Sequence, residues 1–391
     1  MASFSDGLDP GPGAYPSVVP RQSSTSRALR CVVLATIAGF GHVIYPLYLL
    51  RKTADSESPS PPRPSEWPSV SVVIPAYLEA GVVRDKVADT FSNGYSGPLE
   101  VVVVADDPDT AAAARETQAR VVNGSTRGGK ARSLNRGVEA AEHDVIVLTD
   151  ANTKLSPGAL EHLVRWLTDE SIDAVAGEKR VEGGGGESLY WRFESWLKQR
   201  EFMLGTTIGL VGELAAIRRA HYRPLPEDVT NDDLWLAIEV VSNGGRIAYE
   251  PLAVALEAEQ GLDDEWQRRT RVVAGGLDVL WRQRSALAPG ASAATPQLWG
   301  HRLVRMTAGP IAHLALLRSS VRSAHRSRLA RMFLAAHIGG ASALVRARRD
   351  KSLTPPERAA AHALWLQAVA LGGLWRFLRR EDTVLWPKRE R

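Results

Sequence analysis

Val145-Ile146-Val147-Leu148 runs without interruption into Thr149-Asp150-Ala151-Asn152. A continuous apolar run of this kind makes a strand buried on both faces, as in a parallel sheet covered by helices. In open α/β sheets the ligand sits just beyond the carboxyl ends of such strands. Asp150 and Asn152 fall there. Two oxygen-bearing side chains flanking a small residue can both face one hard cation. The competing assignment is an aspartate that caps the next helix.

The surrounding chain repeats the pattern. Val70–Ile74 reads as a strand ending at Pro75-Ala76-Tyr77, with a helix over Val83–Phe91. Leu99–Val104 reads as a strand ending at Ala105-Asp106-Asp107, followed by a helix over Thr110–Arg120 and a short strand at Val121-Val122. Arg127-Gly128-Gly129-Lys130 is a glycine turn before a helix over Ala131–Ala141, and Ser156-Pro157 opens the helix after the 145 strand. Strands alternating with helices predict a doubly wound, mostly parallel sheet. Further on, Ala174–Val181 and Ile247–Pro251 read as strands, with a flexible break at Gly183–Gly186. Leu189–Leu204 reads as a helix carrying Tyr190, Trp191, Phe193, Trp196 and Phe202. Asp232-Asp233 begins another helix, and Trp266–Arg284 is a basic helix interrupted at Gly275-Gly276.

The ends differ in character. Residues 1–28 are rich in Ser, Pro and Gly and predict a disordered tail. Cys31–Leu50 contains no charged residue and is bracketed by Arg27, Arg30, Arg51 and Lys52. A run of this length spans a bilayer as a helix, so 29–52 is assigned as a transmembrane segment. Residues 53–68 make a stiff, proline-rich linker before a catalytic domain over 69–290. Residues 291–391 hold 18 Arg plus Lys against 5 acids, around apolar stretches at Thr307–Leu317, Met332–Val345 and Ala359–Trp375. That balance suits membrane-associated helices on an anionic lipid surface. The arginines flank apolar runs without an aromatic-lined groove, so nucleic acid is not expected as a partner. Cys31 is the only cysteine, which excludes an intrachain disulfide and a cysteine-ligated zinc cluster.

Ile74-Pro75-Ala76-Tyr77-x-Glu79, Asp106, Gly129-Lys130-x-x-x-Leu134-Asn135, Asp150-x-Asn152 and Asn231-Asp232-Asp233 occur in that order. The combination resembles the family 2 glycosyltransferases, within them the cellulose-synthase-like and poly-N-acetylglucosamine-synthase-like branch. The resemblance covers about Val70 to Leu280, and Leu374–Leu378 with Val384-Leu385-Trp386 also looks like the end of membrane-bound members. It implies a GT-A fold that takes a sugar from a nucleotide-diphosphate donor. It places Pro75, Ala76, Tyr77, Glu79, Asp106, Lys130 and Asp150 at the donor, with Asp106 on uridine and Tyr77 lining the base pocket. Asp150 and Asn152 would hold Mg²⁺ or Mn²⁺, although Asn152 departs from the commoner Asp-x-Asp pattern. Asp233 takes the place of the catalytic base, with Asp232 in the preceding acidic place. Arg268, Arg269 and Arg271 fall in the region of a Gln-x-x-Arg-Trp motif and suit a diphosphate. Val272 stands where polymerising members carry the tryptophan that stacks on the acceptor sugar. The Leu189–Leu204 helix resembles the family's amphipathic helix over the acceptor side, and Gly209–Glu213 its acceptor loop, where Glu213 is unusual and has no physical account from sequence.

The resulting expectation is a membrane-anchored inverting enzyme moving one or a few sugars from a UDP-sugar to a lipid-linked or cell-surface glycan acceptor. Its catalytic domain would face the cytoplasm, where nucleotide sugars are made. The alternatives are a processive exopolysaccharide synthase and a non-catalytic nucleotide-sugar-binding subunit.

Overall fold

A computed structural model describes residues 24–124, 128–182, 186–258, 262–349 and 352–381. Residues 1–23 of the expected tail at 1–28, Arg127 of the glycine turn, most of the 183–186 break and Val384–Trp386 lie outside them, while residues 24–28 of that tail are helical. Four parallel strands form half the sheet: β1 (Val70–Ala76), β2 (Leu99–Ala105), β3 (Arg120–Asn123) and β4 (Val145–Thr149). The other half contains β5 (Lys154–Leu155), β6 (Ala174–Glu182), β7 (Leu214–Arg218) and β8 (Ile247–Ala258). Strand order is β3-β2-β1-β4-β7-β6-β8-β5.

The valine-rich strands β1, β2 and β4 are buried on both faces, as an uninterrupted apolar run requires. Helices α3 (Val83–Phe91), α4 (Pro108–Arg115), α5 (Lys130–Ala140) and α6 (Ala159–Val164) connect and cover them. Because β4 is central, its carboxyl end opens at the middle of the sheet edge, which sets where the site lies.

Three features depart from expectation. β7 runs antiparallel between β4 and β6, and its Leu-Ala-Ala-Ile core carries no strong strand signal; pairing on both sides makes it a strand. β8 continues past Pro251 to Ala258. The ladder with β6 shifts register there, from Ala176 opposite Tyr249 to Glu178 opposite Val254, so Pro251 sits where no ladder bond is needed.

The third departure concerns the basic helix. After α7 (Gly186–Met203) and α8 (Asp232–Ser242), α9 (Leu262–Arg282) runs unbroken through Gly275-Gly276. These glycines serve close packing. A Cβ on Gly275 would lie 2.7 Å from Thr230 Cβ, on the turn that leads into Asp232-Asp233. Gly275→Ala is expected to cost about 1–3 kcal/mol by overpacking. A melting temperature unchanged by that substitution would show that α9 yields without cost.

At the N-terminus, α1 (Ser24–Gly39), a π turn (Phe40–Ile44) and α2 (Tyr45–Lys52) form one rod. Pro46 lacks the N–H for a regular ladder bond, which accounts for the widened turn before it. Among the described residues, the run Ala28–Lys52 is the one helix long and apolar enough to cross a membrane. The C-terminal region holds α10 (Thr295–Gln297), a π turn (Leu298–Leu303), α11 (Val304–Met306), α12 (Ala308–Ser323), α13 (Arg328–Ala347) and α14 (Pro355–Leu378). α12 packs on α1, and α14 on α9 and α13. Leu29, Val32, Ile311, Val321, Leu329 and Ile338 remain exposed on these helices.

A buried polar network joins the rod to the rest. Tyr45 donates to Glu201 Oε1 at 2.8 Å, and His301 lies with Nδ1 2.8 Å from Glu201 and Nε2 2.7 Å from Glu194. Arg305 completes it, 2.8 Å from Glu194. Both imidazole nitrogens face carboxylates.

Candidate active site

The carboxyl ends of β1 and β4 and the start of α8 converge on one cleft. Pro75, Lys130, Asp150, Asp232 and Asp233 line it, with Leu210, Val211 and Gly212 from the loop before β7. Of the donor residues expected from sequence, Ala76 is buried at the end of β1, and Tyr77 and Glu79 follow in the turn beyond it. Leu78 in that turn has φ 53°, an unusual conformation for a leucine. Asp107 secures it by accepting from Leu78 N at 2.7 Å while also capping α4 through Thr110 N at 2.9 Å.

Asp106 ends β2. Its Oδ2 accepts from Ser133 Oγ at 2.6 Å, which ties it to the first turns of α5. Burial pushes its carboxyl above the usual range, against the Ser133 hydrogen bond and the nearby Arg136 and Arg132. Asp106 lies on the β2 side of the crevice and is not among the residues lining the main cleft.

Lys130 begins α5 immediately after Gly129, whose φ of 84° no side chain would tolerate easily. Its Nζ is 2.7 Å from Asp150 Oδ1, 3.4 Å from the Gly212 carbonyl and 3.6 Å from Asp232 Oδ2. Burial alone would depress this ammonium; Asp150 and Asp232 reverse that and hold it well above the ordinary lysine range.

Asn231 caps α8 by accepting from Leu234 N at 3.2 Å, and Asp233 Oδ1 shares that donor at 2.8 Å. Asp232 and Asp233 line the cleft at this helix N-terminus. Burial raises both carboxyls. Asp233 reaches about 6, helped by the neighbouring charge of Asp232 and opposed by Arg302. For Asp232, Lys130 opposes the rise and Asp150 adds to it. Such a carboxylate is poised near neutral pH, as a general base needs.

The arginines of α9 separate. Burial draws Arg271 down to about 10, with the charge of Asp232 opposing. Arg268 grips Glu265 with two hydrogen bonds of 2.8 Å and feels Glu257 and Glu213. The structure does not bring Arg269 to the cleft. Arg269 pairs with Glu265 and lies 4.3 Å from the Tyr190 ring centroid and 5.6 Å from that of Trp365. It packs α9 against α7 and α14, because a guanidinium stacks on aromatic faces.

Sequence reading missed a buried lysine and left Glu213 unexplained. The Lys179 side chain on β6 is fully buried and contacts Glu213 and Glu257, with its ammonium 4.9 Å from the Trp191 ring. Burial pushes Glu213 up, but Lys179, with Lys130 and Arg268, brings it down to about 2. Glu213 is thus the partner of a buried cation. The available signal was Glu178-Lys179 directly after the uncharged run Ala174–Gly177 of the same strand.

Asp150 and Asn152 present hard oxygen donors at one strand end, the chemistry Mg²⁺ and Mn²⁺ prefer. Among the described residues, no group of three or more His, Cys, Asp or Glu can hold a metal ion. A metal held by this pair would need further ligands from outside these two side chains.

Residues 71–224 match the profile of Glycosyl transferase family 2. An N-acetylglucosaminyltransferase of Mesorhizobium japonicum is 25% identical over 261 residues, 60% of this chain and 61% of that protein. A poly-beta-1,6-N-acetyl-D-glucosamine synthase of Staphylococcus aureus is 21% identical over 56% of this chain and 57% of that one. The chain thus spans about three fifths of the length of these relatives. A mannosyltransferase from Pyrobaculum calidifontis, solved with GDP-Man and Mn²⁺, superposes with a TM-score of 0.73 at 24% identity, over 91% of this chain and all of that one. That likeness shows the fold. Residues 71–224, which supply β1, β4 and α5 of the cleft, match a Glycosyl transferase family 2 domain, and the fold is GT-A-like.

Proposed function

We propose that this chain is a membrane-anchored inverting glycosyltransferase that moves one or a few sugars from a UDP-sugar to a lipid-linked or cell-surface glycan acceptor. The convergence of Lys130, Asp150, Asp232 and Asp233 on one cleft carries the reading. Asp233 takes the proton of the acceptor hydroxyl as its oxygen attacks the anomeric carbon. The bond to the nucleoside diphosphate breaks on the opposite face, so configuration inverts. Lys130 and Arg271 bear on the diphosphate as a point charge and a guanidinium. Asp106 and Tyr77 take the nucleoside side. Asp150 and Asn152 would hold Mg²⁺ or Mn²⁺, which when bound supplies positive charge for the departing diphosphate.

The names of the two bacterial relatives make UDP-N-acetylglucosamine the first donor to test, and the archaeal structure makes GDP-mannose the second. Val272 in the place of the acceptor-stacking tryptophan favours limited transfer. The Staphylococcus relative favours processive synthesis as a second reading, and product length separates the two. Ala28–Lys52 supplies the anchor, the exposed apolar residues of α12 and α13 lie on lipid, and the catalytic domain faces the cytoplasm, where donor is made.

The test is nucleoside diphosphate release by detergent-solubilised protein from UDP-N-acetylglucosamine, UDP-glucose and GDP-mannose, with Mg²⁺, Mn²⁺ or EDTA. Release from one donor, abolished by EDTA, is the expected result. Asp150→Ala is expected to weaken metal-dependent nucleotide binding about 10–100-fold, the range seen when a metal's surroundings are disturbed. Undiminished metal dependence in that variant would remove Asp150 from the ligand set.

A further inference from the structure

The position of Lys130 carries more than a diphosphate contact. Its ammonium lies among three oxygens drawn from separate elements: Asp150 Oδ1 at 2.7 Å, the Gly212 carbonyl at 3.4 Å and Asp232 Oδ2 at 3.6 Å. Carboxylate and carbonyl oxygens are what a hard divalent cation seeks. The nearest of them belongs to Asp150, the residue expected to ligate the metal. One carboxylate oxygen cannot carry an ammonium and a divalent ion side by side without strong repulsion, since the two cations would lie within a few ångströms.

We infer that Lys130 is the internal cation of this site: its ammonium and the divalent metal exchange for the same oxygens, and the donor diphosphate decides between them. Lysine is a flexible stem with a compact charge, so an incoming diphosphate can draw the ammonium off Asp150 and onto phosphate oxygens. The oxygens then accept the metal, which the same diphosphate helps to ligate. Metal and nucleotide consequently bind as a coupled pair, each tightening the other by the same factor. The protein alone binds metal weakly, because its own lysine already satisfies the seat. This rests on the glycosyltransferase reading of the cleft and adds an order of events to it.

Gly212 provides a second handle. A Cβ there would lie 3.0 Å from Lys130 Nζ, tight enough to displace the flexible end of the lysine without altering charge. The experiment is a Mn²⁺ titration of the full chain in detergent, followed by electron paramagnetic resonance, with and without UDP. Wild type, Lys130→Met and Gly212→Ala are compared. Without nucleotide, Lys130→Met is expected to bind Mn²⁺ at least tenfold more tightly than wild type. Gly212→Ala is expected to shift the same way by a smaller factor, about threefold, and because it keeps every charge it separates seat competition from general electrostatics. UDP is expected to tighten Mn²⁺ binding at least tenfold in wild type and much less in Lys130→Met.

Equal Mn²⁺ affinity without nucleotide in all three proteins overturns the exchange. So does loss of Mn²⁺ binding in Lys130→Met while Gly212→Ala behaves as wild type, which would make the lysine a structural support. In both cases UDP binding by the wild type leaves the transferase reading standing. Failure of the wild type to bind UDP or GDP with Mn²⁺ present counts against that reading instead.

Discussion

Asp233→Asn is expected to lower sugar transfer by about 10²–10⁴-fold, the usual contribution of a general base, with nucleotide binding retained. The carboxylate faces the cleft from the start of α8, and the amide keeps its shape and its contact with Leu234 N while losing proton affinity. The same residue sets a pH dependence. Its carboxyl titrates near 6, raised by burial and then by Asp232, and a base acts only when ionised. Wild-type kcat/KM should therefore rise through about pH 6 and level off above it. Measured as nucleoside diphosphate release across that range, an acid limb absent from wild type, or still present in a residually active Asp233→Asn protein, would move the role of base to another group. Simultaneous loss of nucleotide binding would mark Asp233 as structural.

The second large effect concerns stability. Lys179→Met is expected to cost about 3–5 kcal/mol, as when one partner of a buried ion pair is removed. Glu213 and Glu257 would be left facing each other without the cation that holds Glu213 ionised. In a domain of this size the melting temperature should fall by roughly ten degrees. The double variant Lys179→Met, Glu213→Gln removes one stranded charge and should recover part of the loss. Two variants melting together with wild type would mean that water reaches this trio and solvates it.

These two predictions draw on different depths of legibility. Asp233 was visible in the sequence because a motif and a helix start coincide there. The strands β1, β2 and β4 were visible for a physical reason: burial on both faces forces an apolar run with no alternation. β7 was hidden because Leu-Ala-Ala-Ile is as good a helix as a strand, and only pairing with β4 and β6 decides. Gly275-Gly276 looked like a break because glycine weakens a helix, yet here its missing side chain is what lets α9 reach Thr230. Charge was the least legible property. Arg268, Arg269 and Arg271 are neighbours in sequence, but one grips Glu265, one stacks among aromatic rings and one feels the charge of Asp232. Glu265 is local to the first two, but the rings around Arg269 and the acid that acts on Arg271 lie far along the chain. The contact between Lys130 and Asp150 was hidden the same way: each was expected at the donor, and neither predicted the other.

Tyr45 lies inside the apolar N-terminal run, and its hydrogen bond to Glu201 with His301 behind it is a rivet, not a leash. Arg200 adds a second fastening to Thr53 at 2.9 Å. A catalytic head on a leash sweeps a hemisphere and meets acceptors at many elevations. A riveted head meets only those presented at one height and one heading. The proline-rich stretch from 53 to 68 then adds no reach, because it runs beside a joint already closed. If the apolar run is the proposed membrane anchor, acceptor choice would become partly a question of altitude: a glycan too short or too long for that fixed clearance would be refused before any of its hydroxyls is read.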